Sequence, residues 1–133
     1  MSVYAESSAL LKIYLDDAES DAAEAILVGK RWVTGRHTLV EVRRNLARTL
    51  TGADLGRARA RFASDWTKLD AIDIDEETAE LAAVAAERTG LRSMDALHLG
   101  AAELVRHESL PFVTFDRRLA EAARSLGWTV LGA

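Results

Sequence analysis

Short apolar segments alternate with longer segments of helical periodicity along the whole sequence. The intervening segments place apolar residues three or four positions apart, which is typical of helices with one buried face. Strands that alternate with helices predict βα units, and such units build a small, mainly parallel sheet flanked by helices on both faces. The predicted strands cover residues 3–5, 31–34, 71–74, 112–115 and 128–131.

Length and composition indicate one domain over residues 1–133. The chain is 49% hydrophobic and contains one proline, which suits a helix-rich core rather than a disordered chain. It has no cysteine, which excludes disulfides and cysteine-based zinc sites. No secretory leader is recognisable and no apolar run approaches the ~20 residues that span a bilayer. We therefore expect a cytoplasmic protein with no membrane segment.

Basic residues are concentrated in one part of the chain. Residues 36–68 carry a net charge of +5, whereas the whole chain carries −4. A polyanion can bind such a basic surface on an acidic body, and a helix surface that is simply solvated is the alternative. The basic residues of this segment are Arg36, Arg43, Arg44, Arg48, Arg57, Arg59, Arg61 and Lys68.

Two of the acidic residues that directly follow predicted strands are candidate site residues. Glu6 ends the first strand and Asp116 ends the strand at 112–115. Ligand sites in open α/β sheets form outside the carboxyl ends of parallel strands, so both side chains are expected in one crevice. For Glu6 the alternative is an acid that only caps or solvates the next turn, where Ser7 or Ser8 is the predicted helix N-cap.

Two further acids lie on predicted helices. Asp95 falls in the first turn of a helix that begins near Ser93, where a carboxylate also offsets the helix dipole without any further role. Glu41 follows Thr38 in another helix, and its alternative is an exposed acid paired with a neighbour. The candidate neighbours are Arg44, Asn45 and Arg48.

The three histidines, His37, His98 and His107, show no metal-ligand spacing. We interpret His98 as a packing or supporting residue rather than a metal ligand.

The segments that contain the four acids resemble the PIN-domain family, and most of all the VapC toxins of bacterial toxin–antitoxin pairs. The resemblance covers essentially the whole chain, in order and at family-like spacing, and is most specific from Leu91 to Asp116. The motifs are Tyr4-Ala5-Glu6-Ser7-Ser8-Ala9-Leu10, Glu41 after Thr38-Leu39-Val40, Ser93-Met94-Asp95-Ala96-Leu97-His98 and Thr114-Phe115-Asp116-Arg117-Arg118-Leu119.

This resemblance implies a PIN-like fold and a metal-dependent endoribonuclease. Hard oxygen ligands suit Mg²⁺ or Mn²⁺, and a cation relieves the repulsion between clustered carboxylates. Either Asp95 or Glu41 can orient or deprotonate the attacking water. The implied catalytic acids are Glu6, Glu41, Asp95 and Asp116, of which Glu6, Asp95 and Asp116 are the implied metal ligands.

The resemblance also implies supporting residues and partners. Ser8 matches a serine beside the first acid and Thr114 a hydroxyl near the last, while Arg92 and Arg117 would hold phosphates of an RNA substrate. A cognate antitoxin is implied, together with a homodimer or a toxin–antitoxin hetero-oligomer. Apolar residues of the first helix either make such contacts or form plain core. They are Leu10, Leu11, Tyr14 and Leu15.

Glu6 departs from the family pattern, which has Asp at this position. The additional methylene moves the carboxylate by about 1.5 Å, and Mg²⁺ tolerates little error in its ligand shell. Two functions stay open: an RNA-cleaving toxin, and a catalytically weak or inactive PIN-fold module that binds RNA or a protein partner. A receiver-like signalling domain fits less well, because Glu6 has no adjacent acid and Asp116 comes late in the chain.

Overall fold

The computed structural model describes all 133 residues and contains one five-stranded sheet. The strand order is β3-β2-β1-β4-β5, and every neighbouring pair is parallel. The predicted α/β architecture is confirmed, with a sheet that is parallel throughout. The strands are β1 (Ser2–Ala5), β2 (Arg31–Gly35), β3 (Asp70–Ile72), β4 (Phe112–Thr114) and β5 (Val130–Gly132).

Seven helices connect the strands. Asp75 caps the fifth helix, because its carboxylate accepts a hydrogen bond from the Thr78 N–H. Gly90 ends that helix with φ +73°, a left-handed conformation that suits glycine. The helices are α1 (Ser7–Tyr14), α2 (Ser20–Leu27), α3 (Thr38–Thr49), α4 (Gly52–Trp66), α5 (Glu76–Thr89), α6 (Ser93–Leu104) and α7 (Arg117–Ser125), with a 3₁₀ turn at Arg106–Glu108.

Each face of the sheet is covered by its own apolar core. Alternate residues of a strand point to opposite faces. Tyr4 and Phe112 therefore share one face, where their rings stack 5.1 Å apart between centroids and join the buried residues of α5, α6 and α7. Val3 and Val113 face the other way and pack with the buried residues of α1, α3 and α4. This arrangement confirms the helices predicted on both faces.

The apolar face of α1 is part of the second core. Leu10 is fully buried and Tyr14 is 8% exposed, and the Tyr14 hydroxyl donates a hydrogen bond of 2.7 Å to Asp65 on α4. Leu11 and Leu15 pack against the same core. Of the two interpretations of this face, plain core is the one that the structure supports. No helix of the chain combines the length and the apolar character needed to cross a membrane.

The sheet order creates one crevice at the carboxyl ends of its central strands. Strands β2 and β3 lie on one side of β1, in the order in which they follow it along the chain. The next strand, β4, lies on the other side of β1. The change of direction between β1 and β4 opens a crevice at their carboxyl ends, where ligand sites of open α/β sheets form. Glu6 follows β1 and Asp116 lies two residues beyond β4, so both acids lie at this edge, as predicted.

Candidate active site

The Glu6 carboxylate is buried and surrounded by hydrogen-bond donors. Its side chain is 4% exposed. Oε1 accepts hydrogen bonds from the Ser8 hydroxyl at 2.5 Å and the Thr114 hydroxyl at 2.6 Å. Oε2 accepts hydrogen bonds from the Ser7 hydroxyl at 2.7 Å and the Ser8 N–H at 3.0 Å. A carboxylate offers about four lone-pair positions, and four donors occupy them here.

These bonds give Glu6 the helix-capping role that the sequence left open as an alternative to a ligand site. The N-cap of α1 is Glu6, whose carboxylate accepts the Ser8 N–H, and not Ser7 or Ser8 as predicted. The longer glutamate side chain reaches back to the first turn of its own helix. Both serine hydroxyls are then free to donate to Glu6 instead of accepting from the helix backbone.

Two loop amides hold the hydroxyls of Ser8 and Thr114 in place. The Phe115 N–H donates to Ser8 Oγ at 2.9 Å, and the Asp116 N–H donates to Thr114 Oγ1 at 3.1 Å. Each hydroxyl therefore accepts a backbone hydrogen bond while it donates its proton to Glu6. The result is a continuous network that fastens the start of α1 to the end of β4.

Asp95 lies in the first turn of α6 in a contrasting environment. Its carboxylate is half-buried and forms no hydrogen bond with the protein. Burial raises the pKa of Asp95 above its ordinary value, and the nearby charges of Asp116, Glu6 and Glu41 raise it further. The structure thus brings Asp95 into electrostatic contact with the other three predicted acids.

In its hydrogen bonding, Asp116 is intermediate between Glu6 and Asp95. It is the N-cap of α7, and its Oδ1 accepts a hydrogen bond of 3.0 Å from the Leu119 N–H. Its second oxygen has no protein hydrogen bond. One part of this carboxylate therefore fixes the start of a helix, and the other part is available to a ligand.

The Glu41 carboxylate is held by His98, and not by the arginine or asparagine neighbours that the alternative interpretation paired with it. His98 Nε2 lies 2.7 Å from Glu41 Oε1, and His98 Nδ1 lies 2.9 Å from the Tyr4 hydroxyl. Burial acts to raise the pKa of the Glu41 carboxyl, but the hydrogen bond from His98 and the electrostatic effect of His98 and His37 outweigh it, so the pKa is lowered. Glu41 is therefore ionised at neutral pH. His98 is fully buried and supports an acid, in agreement with the role interpreted for it.

His37 is a member of the site that sequence spacing did not reveal. Its side chain is 8% exposed, and neither ring nitrogen has a hydrogen-bond partner. Its ring centroid lies 4.1 Å from that of His98, and its Nε2 lies 3.8 Å from Glu41 Oε1. Burial lowers the pKa of His37 to about 4, assisted by the charge of His98, so the imidazole is neutral at pH 7. The one available sequence signal was the i, i+4 spacing of His37 and Glu41.

The acidic crevice has the chemistry of a hard divalent-cation site. Its free donors are carboxylate oxygens, and burial together with the neighbouring acids raises the pKa of Asp95, so that a cation would stabilise its ionised form. Asp95 and Asp116 fit this role because each has an oxygen without a protein hydrogen bond. Glu6 does not offer such an oxygen in this conformation, since all four of its acceptor positions are used.

Exposed arginines flank the acids. Arg92 immediately precedes α6 and Arg117 is the first residue of α7, and neither forms an ion pair. In the basic segment, Arg36 pairs with Asp73 and Arg57 with Asp54. Its other cationic side chains form no ion pair and remain available to an anionic partner. They are Arg43, Arg44, Arg48, Arg59, Arg61 and Lys68.

Comparison with known proteins links this arrangement to one family. The PIN-domain family model matches residues 3–125. Ribonuclease VapC47 of Mycobacterium tuberculosis is 33% identical over 131 residues, which cover 95% of this chain and 93% of that protein. The crystal structure of M. tuberculosis VapC20, a sarcin–ricin-loop-cleaving toxin, is similar with a TM-score of 0.72 at 18% identity, over 96% of each chain. A chain of a toxin–antitoxin complex from Klebsiella pneumoniae has the same fold, with a TM-score of 0.64 at 17% identity over 86% of each chain.

Proposed function

This chain belongs to the PIN-domain family and, within it, to the VapC ribonucleases, and we propose that it is the ribonuclease toxin of a toxin–antitoxin pair. The observation that carries the proposal is the environment of Asp95. A half-buried carboxylate without a hydrogen-bond donor, beside three further acids, is destabilised unless a cation is bound. Its place in the crevice between β1 and β4 is where an α/β fold binds its substrate.

The proposed cation is Mg²⁺ or Mn²⁺, held by Asp95 and Asp116, with Glu6 as the third acid of the family's ligand set. When bound, the cation lowers the pKa of a coordinated water and offsets the charge that develops on the phosphate. Asp116 can serve without unfolding α7, because the oxygen that caps the helix differs from the oxygen left free. Glu6 can contribute only after one of its four hydrogen bonds is released.

Glu41 is the acid that we assign to the attacking water. Its lowered pKa keeps it ionised at neutral pH, and His98 fixes one of its oxygens. The second oxygen remains free to orient the water or accept its proton. Asp95 suits the cation better than the water, because it is the carboxylate with the greatest electrostatic need for a positive charge.

Phosphodiester hydrolysis also requires positive charge that holds the RNA strand. Arg92 immediately precedes the helix that carries Asp95, and Arg117 immediately follows Asp116. The two arginines therefore branch from the backbone close to these acids. We assign them to RNA phosphates, to which arginine can donate two parallel hydrogen bonds. The remaining unpaired basic residues of α3 and α4 extend the surface available to a longer RNA.

We also propose a cognate antitoxin as the protein partner. The complex from Klebsiella pneumoniae contains a chain of this fold together with an antitoxin. An antitoxin restrains an RNA-cleaving protein inside the cell that makes it, and we place the pair in the cytoplasm. A homodimer or a toxin–antitoxin hetero-oligomer is the expected assembly.

The bonds of Glu6 favour a second candidate function, a catalytically weak or inactive PIN-fold module that binds RNA or a protein partner. A carboxylate whose acceptor positions are all filled by protein donors is not ready to bind a metal. Under this alternative, the acidic crevice persists while cleavage is lost. The two functions differ in whether the wild-type chain cuts RNA.

The deciding experiment is cleavage of total tRNA and ribosomal RNA by the purified chain with Mg²⁺, Mn²⁺ or excess EDTA. We expect cleavage with either cation and none in EDTA. Asp116→Asn should remove cleavage but not folding, because asparagine is as good an N-cap as aspartate. Full activity in EDTA would exclude the metal-dependent mechanism.

The variant Glu6→Asp separates the two candidate functions in the same assay. If the wild-type chain is inert and Glu6→Asp cleaves RNA, the inactive module is the correct description. If the wild-type chain cleaves at least as well as Glu6→Asp, glutamate supports catalysis and the toxin function stands.

A further inference from the structure

The imidazoles of His37 and His98 and the Glu41 carboxylate form a compact cluster beside the acidic crevice. One ligand atom from each of the three lies within 4.8 Å of the others. They are the chain's only histidine, aspartate or glutamate residues that form a group of three this close. We propose that this cluster is a second cation site, with two nitrogen donors and one oxygen donor, that takes a transition-metal ion of the Zn²⁺ class.

His37 supplies the strongest independent indication of a ligand. A buried imidazole ordinarily hydrogen-bonds through at least one nitrogen, because an unsatisfied buried polar group is destabilising. Neither ring nitrogen of His37 meets hydrogen-bond geometry with a partner, although only 8% of its side chain is exposed. The backbone of Met94 lies near the ring, but it is the smallest of the influences on the pKa of His37. A cation between His37 and Glu41 would give one of these nitrogens a bonding partner.

The ring of His37 is also held close to the strand that carries it. A Cβ atom added at Gly35 would lie 2.5 Å from Cε1 of His37, so the absence of a side chain at Gly35 makes room for the ring. The imidazole is thereby packed against His98 and Glu41 rather than directed to solvent.

The spacing of the donors fits a small tetrahedral ion. With bonds of about 2.0–2.2 Å, a four-coordinate Zn²⁺ holds its donors about 3.3 Å apart. Glu41 Oε1 lies 2.7 Å from His98 Nε2 and 3.8 Å from His37 Nε2, distances on either side of that value. The 2.7 Å contact is the hydrogen bond between His98 and Glu41, so the ion would take the place of its proton and move these two donors apart by about 0.6 Å. Three protein ligands leave the fourth position to water.

The surroundings of His98 can support coordination by Nε2, a ligand role beyond the supporting role that the sequence indicated. A ligating imidazole nitrogen must carry a lone pair, and the ring's proton then resides on the other nitrogen. The Tyr4 oxygen lies 2.9 Å from His98 Nδ1 and can accept that proton's hydrogen bond. Outer partners of this kind fix the tautomer and orientation of metal-bound histidines.

Donor chemistry distinguishes this site from the carboxylate crevice. Two imidazole nitrogens with one carboxylate oxygen suit Zn²⁺, whereas the all-oxygen set of Asp95 and Asp116 suits Mg²⁺ or Mn²⁺. The inference does not depend on ribonuclease activity, because it concerns binding by His37 and His98. Its test therefore needs no RNA.

The experiment titrates the EDTA-treated, dialysed full-length chain with Zn²⁺ in competition with a chromogenic chelator, and with Co²⁺ as a spectroscopic probe. We expect one Zn²⁺ ion per chain and visible Co²⁺ absorption of the strength that four-coordinate sites give. His37→Phe and His37→Gln should each weaken Zn²⁺ binding at least about tenfold and remove the Co²⁺ absorption. Neither variant deletes a hydrogen bond, and thermal unfolding monitored by circular dichroism checks that each is folded.

Matched controls separate the cluster from other sites. His107→Gln removes an exposed histidine of the 3₁₀ turn and should leave Zn²⁺ affinity unchanged, as should Asp116→Asn in the carboxylate crevice. Equal Zn²⁺ affinity of the wild type and a folded His37 variant would overturn the proposal. So would binding that Asp116→Asn abolishes and both His37 variants keep, because the ion would then belong to the crevice.

Discussion

Glu6 and Asp95 lie at the same edge of the sheet, and the protein treats their carboxylates in opposite ways. Glu6 is almost completely buried and accepts four hydrogen bonds. Asp95 is half-buried and accepts none from the protein, and burial with the neighbouring acids raises its pKa. Hydrogen bonds stabilise the charge of Glu6, whereas the charge of Asp95 is left for a ligand to stabilise.

The difference separates two tasks that a family resemblance assigns together. An acid with every acceptor position filled contributes to folding, because it joins the start of α1 to the end of β4. An acid without protein donors contributes little to folding and is suited to bind a cation. We therefore expect substitution of Glu6 to affect stability first and substitution of Asp95 to affect activity first.

The largest expected effect is the loss of RNA cleavage by Asp95→Asn. Removal of a carboxylate that holds the cation should lower the cleavage rate by about 100- to 10,000-fold, a range comparable with the loss of a general acid or base. The amide keeps the shape of the side chain, so the urea midpoint of unfolding should not fall. Cleavage rates of total tRNA under single-turnover conditions provide the measurement.

Glu24→Gln is the control for that experiment, because Glu24 is an exposed acid of α2 that forms no ion pair. It should cleave RNA at the wild-type rate. An Asp95→Asn protein that remains fully active would show that this carboxylate is not part of the catalytic site.

The second effect is a loss of stability in Glu6→Gln. The amide nitrogen cannot accept hydrogen bonds, so at least one of the four donors around Glu6 is left buried and unpaired. One unsatisfied buried donor costs about 1–3 kcal/mol, and the loss of charge-assisted bonds adds to it, so we expect a decrease of about 3 kcal/mol in unfolding free energy. Urea denaturation measures this decrease, and Glu24→Gln should change it by less than about 0.5 kcal/mol.

The sequence allowed us to predict which acids meet at the edge of the sheet, because this depends only on where the strands end and on their parallel arrangement. Glu6 and Asp116 each follow a strand, and parallel strands bring their carboxyl ends to one edge. The hydrogen bonds of Glu6 could not be predicted in this way. They depend on a side-chain conformation and on Thr114, which lies far away in the sequence.

The contact between His37 and His98 could not be predicted from the sequence either. Histidine ligands are recognised from regular spacing along one segment. Here one ring precedes α3 and the other lies in the middle of α6, and only the packing of α6 against β2 brings them together. A buried contact between distant segments leaves no periodic signal in a single sequence.

A smaller effect is expected when one of the four hydrogen-bond donors around the Glu6 carboxylate (the shell around Glu6) is removed. Thr114→Val keeps the shape of the side chain but deletes the hydroxyl that donates to Glu6 and accepts the Asp116 N–H. We expect a decrease of about 1–2 kcal/mol in unfolding free energy by urea denaturation. Thr129→Val is the matched control at an exposed position and should change stability by less than about 0.5 kcal/mol. Equal stability of the two variants would mean that the shell around Glu6 does not stabilise the fold.

The smallest effect is a pH dependence that reports the repulsion around Asp95. In EDTA the folded-state pKa of Asp95 lies above its value of about 3.9 in the unfolded chain, because burial and the neighbouring acids disfavour its charge. Between those two pKa values the folded protein holds this proton more often than the unfolded chain does. The contribution of Asp95 to stability is therefore greatest below about pH 3.9 and is lost as the pH rises through the folded-state pKa.

An amide at this position cannot ionise, so the Asp95→Asn protein should gain in stability relative to the wild type as the pH rises from about 4 to 7. Because Asp95 is only half-buried and solvent screens its charge, the gain should stay below about 1 kcal/mol. Paired urea titrations in EDTA at several pH values measure it. Added Mg²⁺ should remove the gain, since a cation at the crevice stabilises the ionised wild-type carboxylate and has less affinity for the amide. A stability difference that stays constant with pH would show that burial and the neighbouring acids do not disfavour the charge of Asp95, and the contrast between Glu6 and Asp95 would then rest on their hydrogen bonds alone.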